Sequence, residues 1–286
     1  MGAEIIALVS SVLWAGDTIL IRQGARYTGV AVAALMSFFL SMVVLWAIIA
    51  YWFDFSLLRS DAILYFGVSG LIQPAIVRFL HYTGIVHLGA SRAGPVRSIG
   101  PLFAITIAFV FLGERAGATV YLGAVLCVVG VWLISNRREG EKEWKIIHLG
   151  YPIAAALLTA VSQNFRKAGL LILPNPFIAT AIAVTTSFVV FSLGLLITGQ
   201  LRTLRPDRRS LPFYGSAALV SSTAQLLGFV ALSQGELSVV VPLINTNPLF
   251  IILFSAIFLK DLERITVWVV AGAALIVAGI GFITVQ

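Results

Sequence analysis

Charge is scarce in this chain. Asp, Glu, Lys and Arg make up only 11% of its 286 residues, hydrophobic residues make up 59%, and mean hydropathy is +1.01. A soluble domain carries about 25% charged residues. This chain lacks the polar surface to face water on all sides, and the bilayer is the solvent its composition fits. Cysteine is nearly absent. Cys127 stands alone inside an apolar run, which excludes an intrachain disulfide and suggests no thiolate metal cluster. There is no Gly-x4-Gly-Lys-Ser/Thr phosphate loop, no metal-ligand spacing and no hydrolytic triad context. The expectation is therefore no cofactor, no metal and no enzyme activity. Residues 1–4 carry no basic side chain, so no cleavable leader is evident. A net charge of +7 would suggest nucleic acid in a soluble protein. Here the basic residues sit in short loops between apolar runs, which is the pattern of membrane topology.

Long apolar runs are what the chain has in quantity. Spanning takes ~20 mostly apolar residues. Ten segments qualify: about 4–24, 30–52, 62–86, 89–112, 116–135, 147–167, 175–198, 211–233, 237–259 and 264–284. They are too long and too unalternating for barrel strands, and only helices or closed barrels satisfy the backbone in lipid. The expectation is an all-α integral membrane protein of the cell membrane with ten transmembrane helices.

The fourth and fifth runs are echoed by the ninth and tenth. Gly94-Pro95 and Gly100-Pro101-Leu102-Phe103 precede Phe111-Leu112-Gly113-Glu114. Val241-Pro242 and Asn247-Pro248-Leu249-Phe250 precede Phe258-Leu259-Lys260-Asp261. A shift of 147 positions superposes Pro95 on Pro242, Pro101 on Pro248 and Glu114 on Asp261, and after a two-residue slip Gly130 falls on Gly279. Residues 1–136 and 147–286 thus read as two five-helix repeats, joined by a hydrophilic linker at 137–146. Five is odd, so the second repeat enters from the opposite side and the topology is inverted. In such carriers paired interrupted helices mark a midplane site. Pro95, Pro101, Pro242 and Pro248 are the expected breaks in the fourth and ninth helices. Gly117, Gly123 and Gly130, then Gly272, Gly279 and Gly281, mark the fifth and tenth as close-packing helices.

Ionisable residues within membrane helices are functional candidates. Asp17, Arg78 and Arg97 each lie about ten residues, or ~15 Å, from a turn on the same side, which places all three near the midplane. His81 and Tyr82 follow Arg78 on its helix face. The second half offers Ser162, Gln163, Asn164, Gln225, Asn245 and Asn247, which can hydrogen-bond a ligand without adding charge. In one reading Asp17 neutralises an arginine and the set is structural. In the other, the surplus arginine holds a carboxylate or phosphate of a substrate, because a guanidinium cannot shed its proton. His81 and His87 are candidates for proton coupling.

Ten helices in two repeats, with Leu13-Trp14-Ala15-Gly16 in the first helix and a proline-containing fourth helix ending Leu112-Gly113-Glu114, resemble the EamA branch of the drug/metabolite transporter superfamily. The resemblance implies a basket of ten helices, with helices 1, 3, 4, 6, 8 and 9 around a central cavity, and export of amino acids or other small metabolites. The second repeat departs from the pattern: Lys260-Asp261 replaces Gly-Glu, and its first helix lacks the Trp-Gly pair. Taken with the charged layer, this implies a secondary transporter of a small anionic or zwitterionic metabolite by alternating access. A flippase for an anionic lipid head group and a non-transporting scaffold or sensor are the alternatives. On the side away from the N-terminus the loops carry twelve basic residues, Arg22, Arg26, Arg137, Arg138, Lys142, Lys145, Arg202, Arg205, Arg208, Arg209, Lys260 and Arg264. The near side carries at most four, Arg59, Arg115, Arg166 and Lys167, the last two at the end of the sixth segment and open to being within it. That count places both termini outside, whereas the resemblance implies both inside.

Overall fold

The computed structural model describes residues 2–52, 58, 60–97, 99–100, 103, 118–135, 144–235, 240, 243–260, 262 and 265–284. Among these the regular structure is helical throughout. In chain order the α-helices are α1 (Gly2–Gly24), α2 (Val30–Trp52), α3 (Ala62–Gly70), α4 (Val77–Leu88), α5 (Ala90–Arg97) and α6 (Ala118–Ser135). They continue with α7 (Gly150–Ile172), α8 (Pro176–Ile197), α9 (Leu211–Gln234), α10 (Asn247–Phe258) and α11 (Val267–Thr284). Six spans, Gly2–Gly24, Val30–Trp52, Ala62–Leu88, Ile146–Ile172, Pro176–Ile197 and Leu211–Gln234, are long and apolar enough to cross a membrane. Shorter apolar helices lie within α6, α10 and α11.

Local chemistry sets the helix ends. Asn175 caps α8 by accepting from the Ile178 amide at 3.1 Å, and Pro176 follows in the first turn, where its missing N–H leaves no bond unmade. α4 stops at Gly89, whose φ of 87° suits glycine.

The third apolar run is not the uninterrupted helix expected over 62–86. Between α3 and α4 the backbone widens into a π-helical stretch, Leu71–Ile76, and Gln73 adopts extended angles (φ −136°, ψ 122°). Pro74 is the cause: it brings no amide hydrogen to the helix, and its ring clashes with the preceding turn. The expected breaks elsewhere fare differently. Pro95 lies inside α5, and Pro248 stands in the first turn of α10, just after a turn at Asn245 and Thr246 that interrupts the ninth run. Pro101, Pro242, Glu114 and Asp261 lie outside the described residues.

Small residues bring α6 and α11 into backbone contact. A Cβ on Gly130 would lie 2.6 Å from the Gly272 carbonyl oxygen, and one on Gly279 would lie 2.6 Å from that of Gly123. Between them the Cys127 thiol faces the Ile276 carbonyl at 3.8 Å. Cys127 and Ile276 are 149 positions apart, and the two glycine contacts fall two turns to either side of that pair's register, Gly123 and Gly272 also being 149 apart. That is the signature of two like helices crossing about a shared point.

Two cations hold helix ends in a matching way. Arg22 of α1 donates to the carbonyls of Ile85 (3.2 Å) and Val86 (3.1 Å) at the end of α4. Lys167 of α7 donates to those of Leu232 (3.0 Å) and Gly235 (3.2 Å) at the end of α9. A cation at a helix C-terminus satisfies orphan carbonyls and complements the dipole. Ile85 and Leu232 are 147 positions apart. Arg166 and Lys167, counted above with near-side loop charge, lie inside α7, which runs five residues beyond the expected end at 167.

The crossing of α6 and α11 leaves no room for a side chain. Gly279→Val and Gly130→Val should each lower stability by about 1–3 kcal/mol or more, as overpacked cores do. Gly281, whose added Cβ would meet nothing within 4 Å, serves as the control. Thermal unfolding of purified protein in detergent should show the first two variants shifted down and Gly281→Val nearly unchanged.

Candidate functional site

α4 begins immediately after the Gln73–Pro74 break, so its first turns are placed by that break. Arg78, His81 and Tyr82 share one face of α4, and all three are buried. They line a pocket with Trp14 of α1, Gln73, Pro74, Val77 and Arg97 of α5. Its empty space is about 230 Å³. The enclosed part has room for about one water molecule.

Arg78 is the centre of the pocket. Its guanidinium lies over two rings, 5.1 Å from the Phe38 centroid and 5.5 Å from that of Trp14. One arm donates to Ser37 Oγ, and the other donates to Gln225 Oε1 at 2.6 Å. Ser37 in turn shares a hydrogen bond with Ser221 at 2.9 Å. Four helices, α1, α2, α4 and α9, therefore meet at one side chain. The donor and its acceptor Gln225 are 147 positions apart.

Asp17 is fully buried. Tyr82 Oη donates to both of its carboxylate oxygens, at 3.2 and 3.3 Å. The charges of Arg78 and Arg97 both act on it. The structure brings Asp17, Arg78 and Arg97 within electrostatic reach of one another. The pairing differs from a simple Asp–Arg bridge, because the hydrogen bonds of Arg78 go to neutral oxygens.

Several polar atoms here find no hydrogen-bond partner among the described residues: Arg97 Nε, His81 Nδ1, Gln73 Oε1 and Gln225 Nε2. Buried donors and acceptors are nearly always satisfied, and each exception calls for a partner such as water or a ligand. Gln225 Nε2 is a donor, since its Oε1 is committed to the guanidinium.

A third arginine belongs to this group and was missed as a site residue. Arg166 of α7 is buried, donates from Nη2 to the Gln73 carbonyl at 3.0 Å and from Nε to Ser69 Oγ at 3.3 Å, and lies 4.8 Å over the Phe229 ring. It is within electrostatic reach of Arg78 and Arg97. The signal was available: Ser162, one turn earlier on the same face, donates to the Ser69 carbonyl at 3.1 Å.

The remaining candidates stand apart from the pocket wall. Gln163 is half-buried, and Asn164 is exposed and donates to the Ala160 carbonyl of its own helix at 3.0 Å. Asn245 sits half-buried in the turn before α10, and Asn247 is buried at its start.

The sequence profile of the EamA-like transporter family matches residues 1–136 and 147–285. The chain belongs to the EamA-like transporter family. It is similar to a permease-like protein, YdzE, of Bacillus subtilis (strain 168), at 31% identity over 72 residues, covering 25% of this chain and 92% of that one. A solved crystal structure superposes with a TM-score of 0.69 at 17% identity, covering 98% of this chain and 96% of its own, which supports the fold. This EamA-like protein is accordingly a multi-pass protein of the cell membrane with a transporter fold.

Proposed function

We propose that this EamA-like protein is a secondary carrier that exports a small anionic or zwitterionic metabolite, such as an amino acid or organic acid, by alternating access. Arg78 and Arg97 hold the anionic group, Asp17 tunes them, and protons are the candidate coupling ion. The single observation that carries this reading is the excess of buried guanidinium over carboxylate around one pocket. A guanidinium offers a planar fork that fits a carboxylate or phosphate at two points. Arg97 Nε, a guanidinium N–H, and Gln225 Nε2, an amide N–H, have no partner among the described residues and can donate to such an anion. The pocket widens to admit a solute, and the Gln73–Pro74 break gives the third span a place to bend.

The same reading takes the chain as two inverted five-helix units, residues 1–136 and 147–286, joined by a linker at 137–146. The recurring 147 supports it: it relates the repeated motifs, the two capped helix ends and the bonded pair Arg78 and Gln225. The bond between Arg78 and Gln225, 147 positions apart, supports a site between the two units, where such carriers bind their cargo.

Labelling tests the topology. Cys127 is buried, so cysteines introduced at Lys142, Arg208 and Asp61 report with little background. An impermeant thiol reagent should reach Lys142→Cys and Arg208→Cys from one side and Asp61→Cys from the other. Labelling of the first two from opposite sides would refute the inverted arrangement.

Binding and transport test the site. Charge-assisted hydrogen bonds contribute ~1.5–3 kcal/mol each. Arg78→Gln and Arg97→Gln should therefore weaken solute binding by roughly ten- to a hundredfold, with thermal unfolding showing the fold retained. Arg97→Lys should rescue only in part, because an ammonium lacks the fork. Normal uptake of a confirmed solute into proteoliposomes by both glutamine variants would make the arginines structural and end the anion reading.

A further inference from the structure

Three guanidinium groups and one carboxylate converge on this pocket. Arg78 and Arg97 line it, and Arg166 lies behind its wall, gripping the backbone carbonyl of pocket-lining Gln73. Among the described residues the partners of Arg166 are neutral: Ser69 Oγ, the Gln73 carbonyl and the Phe229 ring. Its charge is therefore bonded but not cancelled. Among the described residues Asp17 balances one of the three charges, leaving two among buried side chains. At short range in such surroundings each uncancelled unit charge is worth far more than in water.

We propose that the solute carries two negative charges on one small molecule, as a dicarboxylate or a phosphomonoester does, and that Arg166 supplies the second positive charge that selects it. This rests on the carrier reading above and narrows it. Arg78 and Arg97 meet the solute directly. Arg166 is a positioning and selecting residue: it fixes the Gln73 wall and adds field without touching the solute. A monoanion leaves one buried charge uncompensated, whereas a dianion compensates both.

The test measures binding of succinate and glycerol phosphate against acetate and lactate, on the intact protein in detergent at matched ionic strength. Wild-type protein should prefer the dianions by at least about tenfold. Binding of the phosphomonoester should strengthen from pH 5 to pH 7, since its second ionisation falls near ~6, relative to lactate at the same two values. Arg166→Gln should collapse the dianion preference to within about threefold while lactate binding persists. Arg166→Lys, which keeps the charge, should restore most of the preference; a merely structural arginine would not separate these two variants by charge class. Should Arg166→Gln fail to fold, the wild-type preference, its pH dependence and Arg166→Lys still decide the matter. Equal binding of monoanions and dianions by wild type, or a preference that survives Arg166→Gln, overturns the inference and leaves the carrier reading standing. Binding of no anion at all overturns both. Whichever of succinate and glycerol phosphate binds identifies the group recognised.

Discussion

A guanidinium keeps its proton at any pH a cell meets, and Arg78 is 3% exposed inside a protein suited to lipid. Everything around it answers that constraint. The guanidinium lies over two aromatic rings, and a serine and a glutamine take its donors. These partners come from helices far apart in sequence, so the arginine can be satisfied only when α1, α2, α4 and α9 are assembled. The cost of desolvating the charge is thereby tied to the packing of the whole bundle. None of these partners is an anion, and the Asp17 carboxylate takes its hydrogen bonds from Tyr82 instead. The net positive charge of the pocket is built in.

The chemistry is asymmetric on a repeating frame. At the crossing of α6 and α11 the related residues are alike, glycine against glycine, because the demand there is only for close approach. Near the pocket the related positions differ: Arg78 in one half, Gln225 in the other. Two arginines facing each other at that point would repel. One arginine and one amide bond each other and still leave an amide donor for a ligand.

Much of the fold was legible from hydropathy and length, since ~20 apolar residues is a physical requirement of the bilayer. Helix ends matched the punctuation at Gly89 and at Asn175–Pro176 for the same reason: glycine and capping residues act locally. The break at Gln73–Pro74 was not read. Proline in an apolar run is tolerated in membrane helices, because neighbours re-satisfy the backbone, so Pro74 alone does not announce whether a helix bends. The neighbour here is Arg166, which takes the Gln73 carbonyl. That arginine fell at the end of the expected 147–167 segment and was counted with the near-side charge, because charge near the end of an apolar run ordinarily marks the water interface. Asp17, Arg78, Arg97, His81 and Tyr82 were found together because depth and helical register follow from simple counting. Ser37 and Phe38 were not, since α2 carries no charge to draw attention to its inner face.

The account turns on one quantity, the uncompensated positive charge of the pocket. Its most direct measurement is a thermal-stability screen of the wild-type protein in detergent against small anionic, neutral and cationic solutes at constant ionic strength. A ligand that binds only the folded state raises stability with concentration in proportion to RT ln(1 + [L]/Kd). The account predicts saturable stabilisation by anionic or zwitterionic solutes alone. Saturable stabilisation by neutral or cationic solutes, with none from anions, would contradict it.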